Sequence, residues 1–310
     1  MREPLEAYCL VGIVHPMAFP QVQNGEGPIL ETLSQIAEDT FFSAVEVAWI
    51  KDAKVRAQAA QLLSTAGIEV IFAAQGPLLL QGLSLCNLDR SARQKAVDAC
   101  KHLIDEAYEL GAALMVVTSG PDPGESSRVD ATKALVSSLK QLCADAQQKA
   151  EERMLAISLE NYDREVDKKY LIGPTKEAGA IAESVWGECS NFGLTIDLSH
   201  LPLLREKVDE AVLAAVDHLI HVHVGNCVAS ESSHPAYGDR HPRFGIPGGA
   251  VGVAEVKRFL EALIYGGYFR RNTPTTMPVV TLEVQPLEGE RPEMVIANAK
   301  RTLMQAWARL

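Results

Sequence analysis

Short apolar runs alternate along the chain with longer amphipathic stretches. The apolar runs cover residues 8–14, 44–50, 68–74, 113–118, 154–160, 194–198, 219–224 and 279–284. Helical periodicity follows each of them, over about 29–37, 53–66, 91–110, 130–149, 176–185, 204–215, 254–263 and 292–308. Runs such as Ala113-Leu114-Met115-Val116-Val117-Thr118 are apolar throughout and do not alternate, as strands buried on both faces require. Gly111 stands where a left-handed residue would end the 91–110 helix. Eight strand-then-helix units predict a closed (β/α)8 TIM barrel, with an open eight-stranded α/β sheet as the alternative. No GxGxxG follows the first run, so the fingerprint of a dinucleotide fold is missing. The connection from Gly225 to Gly249 departs from the pattern. It is polar, rich in Gly, Pro and His, and far longer than an ordinary connection, which predicts a lid or binding loop after the seventh strand.

The length of 310 residues suits one barrel domain spanning 1–310, since such a fold takes roughly 250 residues plus insertions. Composition is that of a globular chain, and the core needs no disulfide staple. A net charge of −11 gains nothing from counterion release and argues against a nucleic-acid partner. No apolar run is long enough to span a membrane. The N-terminal residues lack the apolar stretch of a signal peptide. Cys9, Cys86, Cys100, Cys143, Cys189 and Cys227 form no CxxC pair and read as reduced thiols, so a cytoplasmic location is expected. A homo-oligomer is expected, although no surface stripe indicates how it would form.

Chemistry is predicted at the strand ends, because polar residues there converge on one site in a barrel. The fifth strand ends at Glu160-Asn161, the sixth at Asp197-Leu198-Ser199-His200, the seventh carries His221 and His223, and the eighth ends at Glu283. Three buried carboxylates and an imidazole at one point repel each other unless a cation sits among them. Glu160, Asp197, His223 and Glu283 are therefore expected to hold one divalent ion, with Mn²⁺ foremost and Mg²⁺, Co²⁺ or Zn²⁺ as alternatives. The competing reading pairs each acid with Arg or Lys. His221 shares the parity of His223 but lies one layer deeper, as a core or supporting histidine. His200 either orients substrate, binds a second ion or is structural. His15 and Glu46 face the pocket or serve as structural hydrogen-bonders. Trp49 and Phe72 pack against the core or a substrate ring. Cys227 has no neighbouring base to mark it as a nucleophile. Ser119-Gly120 lacks the usual barrel phosphate geometry.

The stretches Ser158-Leu159-Glu160-Asn161, Asp197-Leu198-Ser199-His200, His221-Val222-His223-Val224-Gly225 and Leu282-Glu283 resemble the xylose-isomerase-like superfamily of sugar isomerases and epimerases across all eight units. The resemblance implies that Glu160 and Glu283 bind the metal and exchange protons with a sugar, and that His200 contacts substrate. Gly225-Asn226 and Ala229 replace the Gly-Glu and Arg of ketose 3-epimerases, so their substrate-clamping arginine is missing from its usual place. Arg240 or Arg243 in the long loop is a candidate substitute. The Asp239-Arg240-His241 stretch also resembles a metal-binding motif of apurinic endonucleases, but Gln75 and Ser119 stand where that branch has histidines. The loop segment from Ala236 to Arg243, with Ala297-Asn298 and Ala306-Trp307, resembles the larger subunit of bacterial C-glycoside deglycosidases. That likeness implies Mn²⁺-assisted elimination from a 3-keto-glycoside, with His241 or His200 as acid and a small partner subunit. The expected substrate contacts are thus His200, Asp239, His241, Arg243 and Gln75. The substrate class is a small sugar or glycoside.

Overall fold

A computed structural model of the chain describes residues 3–310. Its eight strands are β1 (Leu10–Ile13), β2 (Ala44–Val47), β3 (Glu69–Ala73), β4 (Leu114–Thr118), β5 (Ala156–Glu160), β6 (Phe192–Asp197), β7 (Leu219–Val224) and β8 (Val279–Leu282). All ladders are parallel, in the order β1-β8-β7-β6-β5-β4-β3-β2. The remaining seam, between β2 and β1, is closed by a single parallel bridge from Val14 to Glu46 and by Ser43, which bonds the Val11 backbone on both sides. The result is the nearly closed (β/α)8 barrel that the run pattern predicts, not the open sheet.

Local chemistry explains most of the boundaries. Asp52 caps the helix Ala53–Ala66 by accepting from Lys54 N at 2.8 Å and Val55 N at 3.2 Å, and Gly67 ends it at φ 67°. Gly111 has φ 74° just past the helix Arg90–Glu109, as expected. Two differences arise from tertiary contacts. The predicted 204–215 helix is two pieces, His200–Leu204 and Val208–Ala215. Arg205 between them is left-handed at φ 58°, and Glu206 turns away to accept from Thr175 N and Oγ1. A short helix, Gln75–Leu80, also follows β3, where the hydrophobic pattern predicts no helix.

Two apolar cores divide the fold. The larger lies between the strands and the surrounding helices. The smaller gathers Ala44, Ile71, Leu114, Val116, Ala156 and Val279 from five strands and plugs the N-terminal end of the barrel. Strand alternation then sets what stands above that plug. Two residues beyond Ala44, Ala156 and Val279 come Glu46, Ser158 and Thr281, and two beyond Ser158 and Thr281 come Glu160 and Glu283. Ser158 Oγ and Thr195 Oγ1 bond each other at 2.7 Å in this intermediate polar layer. Among the described residues no helix is long and apolar enough to cross a membrane.

Candidate metal centre

The strand ends do converge. One ligand atom from each of Glu160, Asp197, His223 and Glu283 lies within 4.8 Å of the others. Asp197 and His223 are register partners on adjacent strands, which puts them side by side. Asp197 and His223 are fully buried, Glu160 nearly so, and Glu283 is 12% exposed. No Lys or Arg pairs with any of the four among the described residues, so the paired-acid reading finds no support.

The arrangement fits a cation. His223 Nε2 is 2.8 Å from Glu46 Oε2, while Nδ1 is 2.9 Å from Glu283 Oε2 and 3.2 Å from Glu160 Oε1. A neutral imidazole has one N–H. Placed on Nε2 for Glu46, it leaves an Nδ1 lone pair directed at two carboxylates. The Glu283 Oε2 atom is buried and lacks an aligned hydrogen-bond partner. Burial opposes charging of His223, yet Glu46, Glu283 and Glu160 together lift its pKa well above the ordinary range. Carboxylates on both sides of the ring thus favour positive charge there, supplied by a proton or a cation, and an oxygen-rich set with one nitrogen suits a divalent ion. Glu283, buried among these groups, is pushed above the ordinary carboxylate range, although His241 and His223 pull it down.

Around this centre the carboxylates of Glu160, Asp197 and Asp239 are held. Glu160 Oε2 accepts from Gln75 Nε2 at 2.8 Å and from the Tyr162 hydroxyl at 3.0 Å. Asp197 accepts from Ser199 N at 2.8 Å and from Ser199 Oγ at 2.6 Å. Asp239 Oδ1 lies 2.7 Å from His241 Nε2 and 3.1 Å from His200 Nε2. Lys168 Nζ bonds Asp239 Oδ2 at 3.1 Å, and its pKa, which burial would lower, is pushed up to about 12 by Asp239 and Asp167. His241 is likewise raised to about 9 by Glu283 and Asp239 against the effect of burial.

The long loop after β7 is folded tightly onto the site. Asn226 staples it by donating to Arg243 O at 3.1 Å and accepting from Val251 N at 2.8 Å. His241 is left-handed at φ 48°, and its carbonyl accepts from Gln285 N at 2.7 Å. Gly225 permits the close approach, since a Cβ there would lie 2.7 Å from His241 Nδ1. A cavity of about 250 Å³ opens at this mouth, bordered by Glu46, Gln75, Tyr162, Asp239, His241 and Glu283.

Of the expected substrate contacts, Gln75, Asp239 and His241 border that cavity. Arg243 does not: its guanidinium is turned outward onto Glu290 at 2.8 Å, where solvent and a carboxylate satisfy it, and Arg240 borders the cavity instead. His200 does not border it either. Its Nδ1 bonds Asn161 O at 2.8 Å, its Nε2 faces Asp239, and the Tyr162 ring packs on it at 4.5 Å. Ser119 is occupied with backbone, accepting from Ile172 N. His15 is buried on Thr32 at 2.7 Å, a structural role. Cys227 is buried, and burial pushes its thiol up. All six cysteines are buried and unpaired. Tyr162 and Lys168 were not singled out by the sequence. Tyr162 had a signal, lying two residues beyond Glu160. Lys168 had none, because a loop has no periodicity to place it.

Comparison with known proteins agrees with the fold. A D-tagatose 3-epimerase-like protein superposes with a TM-score of 0.70 at 19% identity, covering 97% of this chain and 99% of that one. D-psicose 3-epimerase from Clostridium cellulolyticum H10, solved with D-tagatose, gives 0.65 at 16% identity, covering 97% of each chain. The IOLI protein, solved with a zinc atom, gives 0.65 at 14% identity, covering 96% of this chain and 95% of that one. Curated proteins give no significant sequence match. The family model for the xylose isomerase-like TIM barrel matches residues 35–278, which span β2 to β7 whole, and the chain belongs to that family.

Proposed function

We propose that this chain is a divalent-metal-dependent isomerase or epimerase that moves a proton on the carbon next to a sugar carbonyl. The observation that carries the reading is the pair Glu160 and Glu283. They come from β5 and from the end of β8 and flank His223 Nδ1 at 3.2 and 2.9 Å. The solved epimerases of the same fold support it. Manganese is the ion we propose first.

A bound divalent ion would supply Lewis acidity that polarises the carbonyl and acidifies the neighbouring C–H. Glu160, Asp197, His223 and Glu283 would hold it. Gln75 and Tyr162 fix the Glu160 carboxylate by two donated hydrogen bonds, so its approach to substrate is set in advance. Glu283 has one unpartnered oxygen and, through burial, a raised pKa, which suits a group that takes up and returns a proton. Removal by one carboxylate and return by the other, from the opposite face, inverts the carbon. His241, at the cavity wall, holds a proton over Asp239 and orients a substrate oxygen.

A second reading, elimination from a 3-keto-glycoside, is favoured by the cavity mouth. Leu79 and Leu80 line it while 37% and 55% exposed, together with Met17, which suits an apolar aglycone. His241 would protonate the leaving group, with a small partner subunit joining the complex.

The test is incubation with Mn²⁺ and a panel of D-tagatose, D-psicose and L-ribulose in D₂O, followed by proton NMR. Ion-dependent loss of a carbon-bound proton signal is expected. No exchange with any ketose, together with ion-dependent release of aglycone from a 3-keto-glycoside, would replace the first reading by the second.

A further inference from the structure

The proposed mechanism does not use the buried carboxylate of Glu46. Glu46, on β2, is fully buried and has no Lys or Arg partner among the described residues. Its Oε2 sits 2.8 Å from His223 Nε2 and 3.1 Å from His221 Nε2. The two imidazoles belong to β7, which lies across the barrel from β2, with β1 and β8 between them in the ring. The rings meet edge to face at 4.8 Å. Thr281 Oγ1 stands 3.3 Å from the same His221 nitrogen. Glu46 is itself anchored by the bridge to Val14 that closes the barrel seam.

We propose that Glu46 is a positioning residue that presets His223 as an Nδ1 ligand. The inference rests on the metal-site reading given above. Accepting the Nε2 proton fixes which nitrogen of His223 is free, holds the ring plane, and makes the free nitrogen more basic toward a cation. His221 has the complementary task. It donates to the same oxygen, so Oε2 is fixed from two directions, while Oε1 has no hydrogen-bond partner. The His221–Val222–His223 spacing serves this purpose, because residues two apart on a strand face the same side. The deeper histidine thus has a function that a core histidine does not: it sets the carboxylate that sets the ligand. No Lys or Arg could replace Glu46 here, since a donor at that point would force the proton onto Nδ1 and close the ligand position.

Glu46, His221 and His223 could alternatively hold an ion of their own. That arrangement would require His223 to bind one ion through each nitrogen, and so to lose both of its ring protons.

The experiment uses the full chain. Long-range proton–nitrogen NMR of the ¹⁵N-histidine protein loaded with Zn²⁺ is expected to show His223 protonated at Nε2 and shifted by the ion at Nδ1. Calorimetric titration with Mn²⁺ is expected to give one ion per chain, with affinity falling about 10- to 100-fold in Glu46→Gln. A His223 proton on Nδ1 would overturn the proposal without any variant. Unchanged affinity in Glu46→Gln would also overturn it while leaving the proposed function standing. Two ions per chain, falling to one in Glu46→Gln, would make Glu46 a ligand in its own right. A wild-type chain that binds no ion would remove this inference and the function together.

Discussion

The two halves of the barrel mouth are built from the same strand-and-helix unit, yet they present opposite chemistry. The β5–β8 half supplies Glu160, Asp197, His223 and Glu283, with one ligand atom of each within 4.8 Å of the others. The β1–β4 half supplies an amide, Gln75, and the apolar side chains Met17, Leu79 and Leu80. Its one buried acid at this level, Glu46, spends one oxygen on the two histidines of β7. One half therefore concentrates charge, and the other gives the cavity its shape and holds the charged half in place. Concentrated charge of this kind is unstable without a cation, whereas an apolar wall is stable as it stands.

Breaking the charged half has the largest expected effect. Glu160→Gln keeps the volume and one acceptor but removes the base. Turnover is expected to fall by about 10²- to 10⁴-fold with an unchanged far-UV circular dichroism spectrum. Removal of the ion by EDTA should abolish activity outright, and Mn²⁺ should restore it. Near-normal rates in Glu160→Gln would mean that the charge is structural and that the contrast between the halves has no catalytic meaning.

The β1–β4 half contributes to stability in a pH-dependent way through His15. Burial lowers its pKa to about 3 in the folded chain, against about 6.5 when unfolded. The unfolded chain therefore binds the extra proton between those values. Stability contributed by neutral His15 is full above about 6.5 and is lost as pH falls toward 3, by several kcal/mol across the window. The urea midpoint measured from pH 7 to pH 4 should fall more steeply for the wild type than for His15→Asn. Parallel curves would show that His15 is not held neutral.

A sharper test of the apolar wall is Leu80→Asp. Leu80 is 55% exposed, so the fold should tolerate the change. If the substrate carries an apolar group, KM should rise about tenfold, in line with about 1.5 kcal/mol of lost burial, while kcat stays within a factor of about three. An unchanged KM would leave the free-sugar reading preferred. The smallest effect is expected from Arg243→Ala. Its exposed pair with Glu290 contributes about 0–1 kcal/mol, and steady-state kinetics should not move. A large rise in KM would return Arg243 to the substrate site.

Much of this is legible in the sequence alone. Gly111 marked a helix end, and the apolar runs placed all eight strands to within a few residues, because propensity and burial on both faces act locally. Strand parity, joined to the rule that barrel chemistry lies at the strand ends, singled out Glu160, Asp197, His223 and Glu283, and ranked His223 above His221. The long loop also announced itself through its length and polarity.

What the linear order left open depends on closure. The pairing of β2 with β7 through Glu46 follows from strand tilt and register around a ring, which no local periodicity encodes. The same is true of Arg243, whose outward turn is decided by Glu290, and of the 204–215 helix, broken because Glu206 reaches Thr175. Tyr162 and Lys168 reach the site through a loop shaped by Asp163, whose buried carboxylate accepts from the backbone of Val166, Asp167 and Lys168 at 2.5–2.8 Å. Residue pattern thus determined which strands exist and which side chains end them. Only the closed barrel decided which of those side chains meet, because contact between residues more than a hundred positions apart is set by the packing of the whole ring.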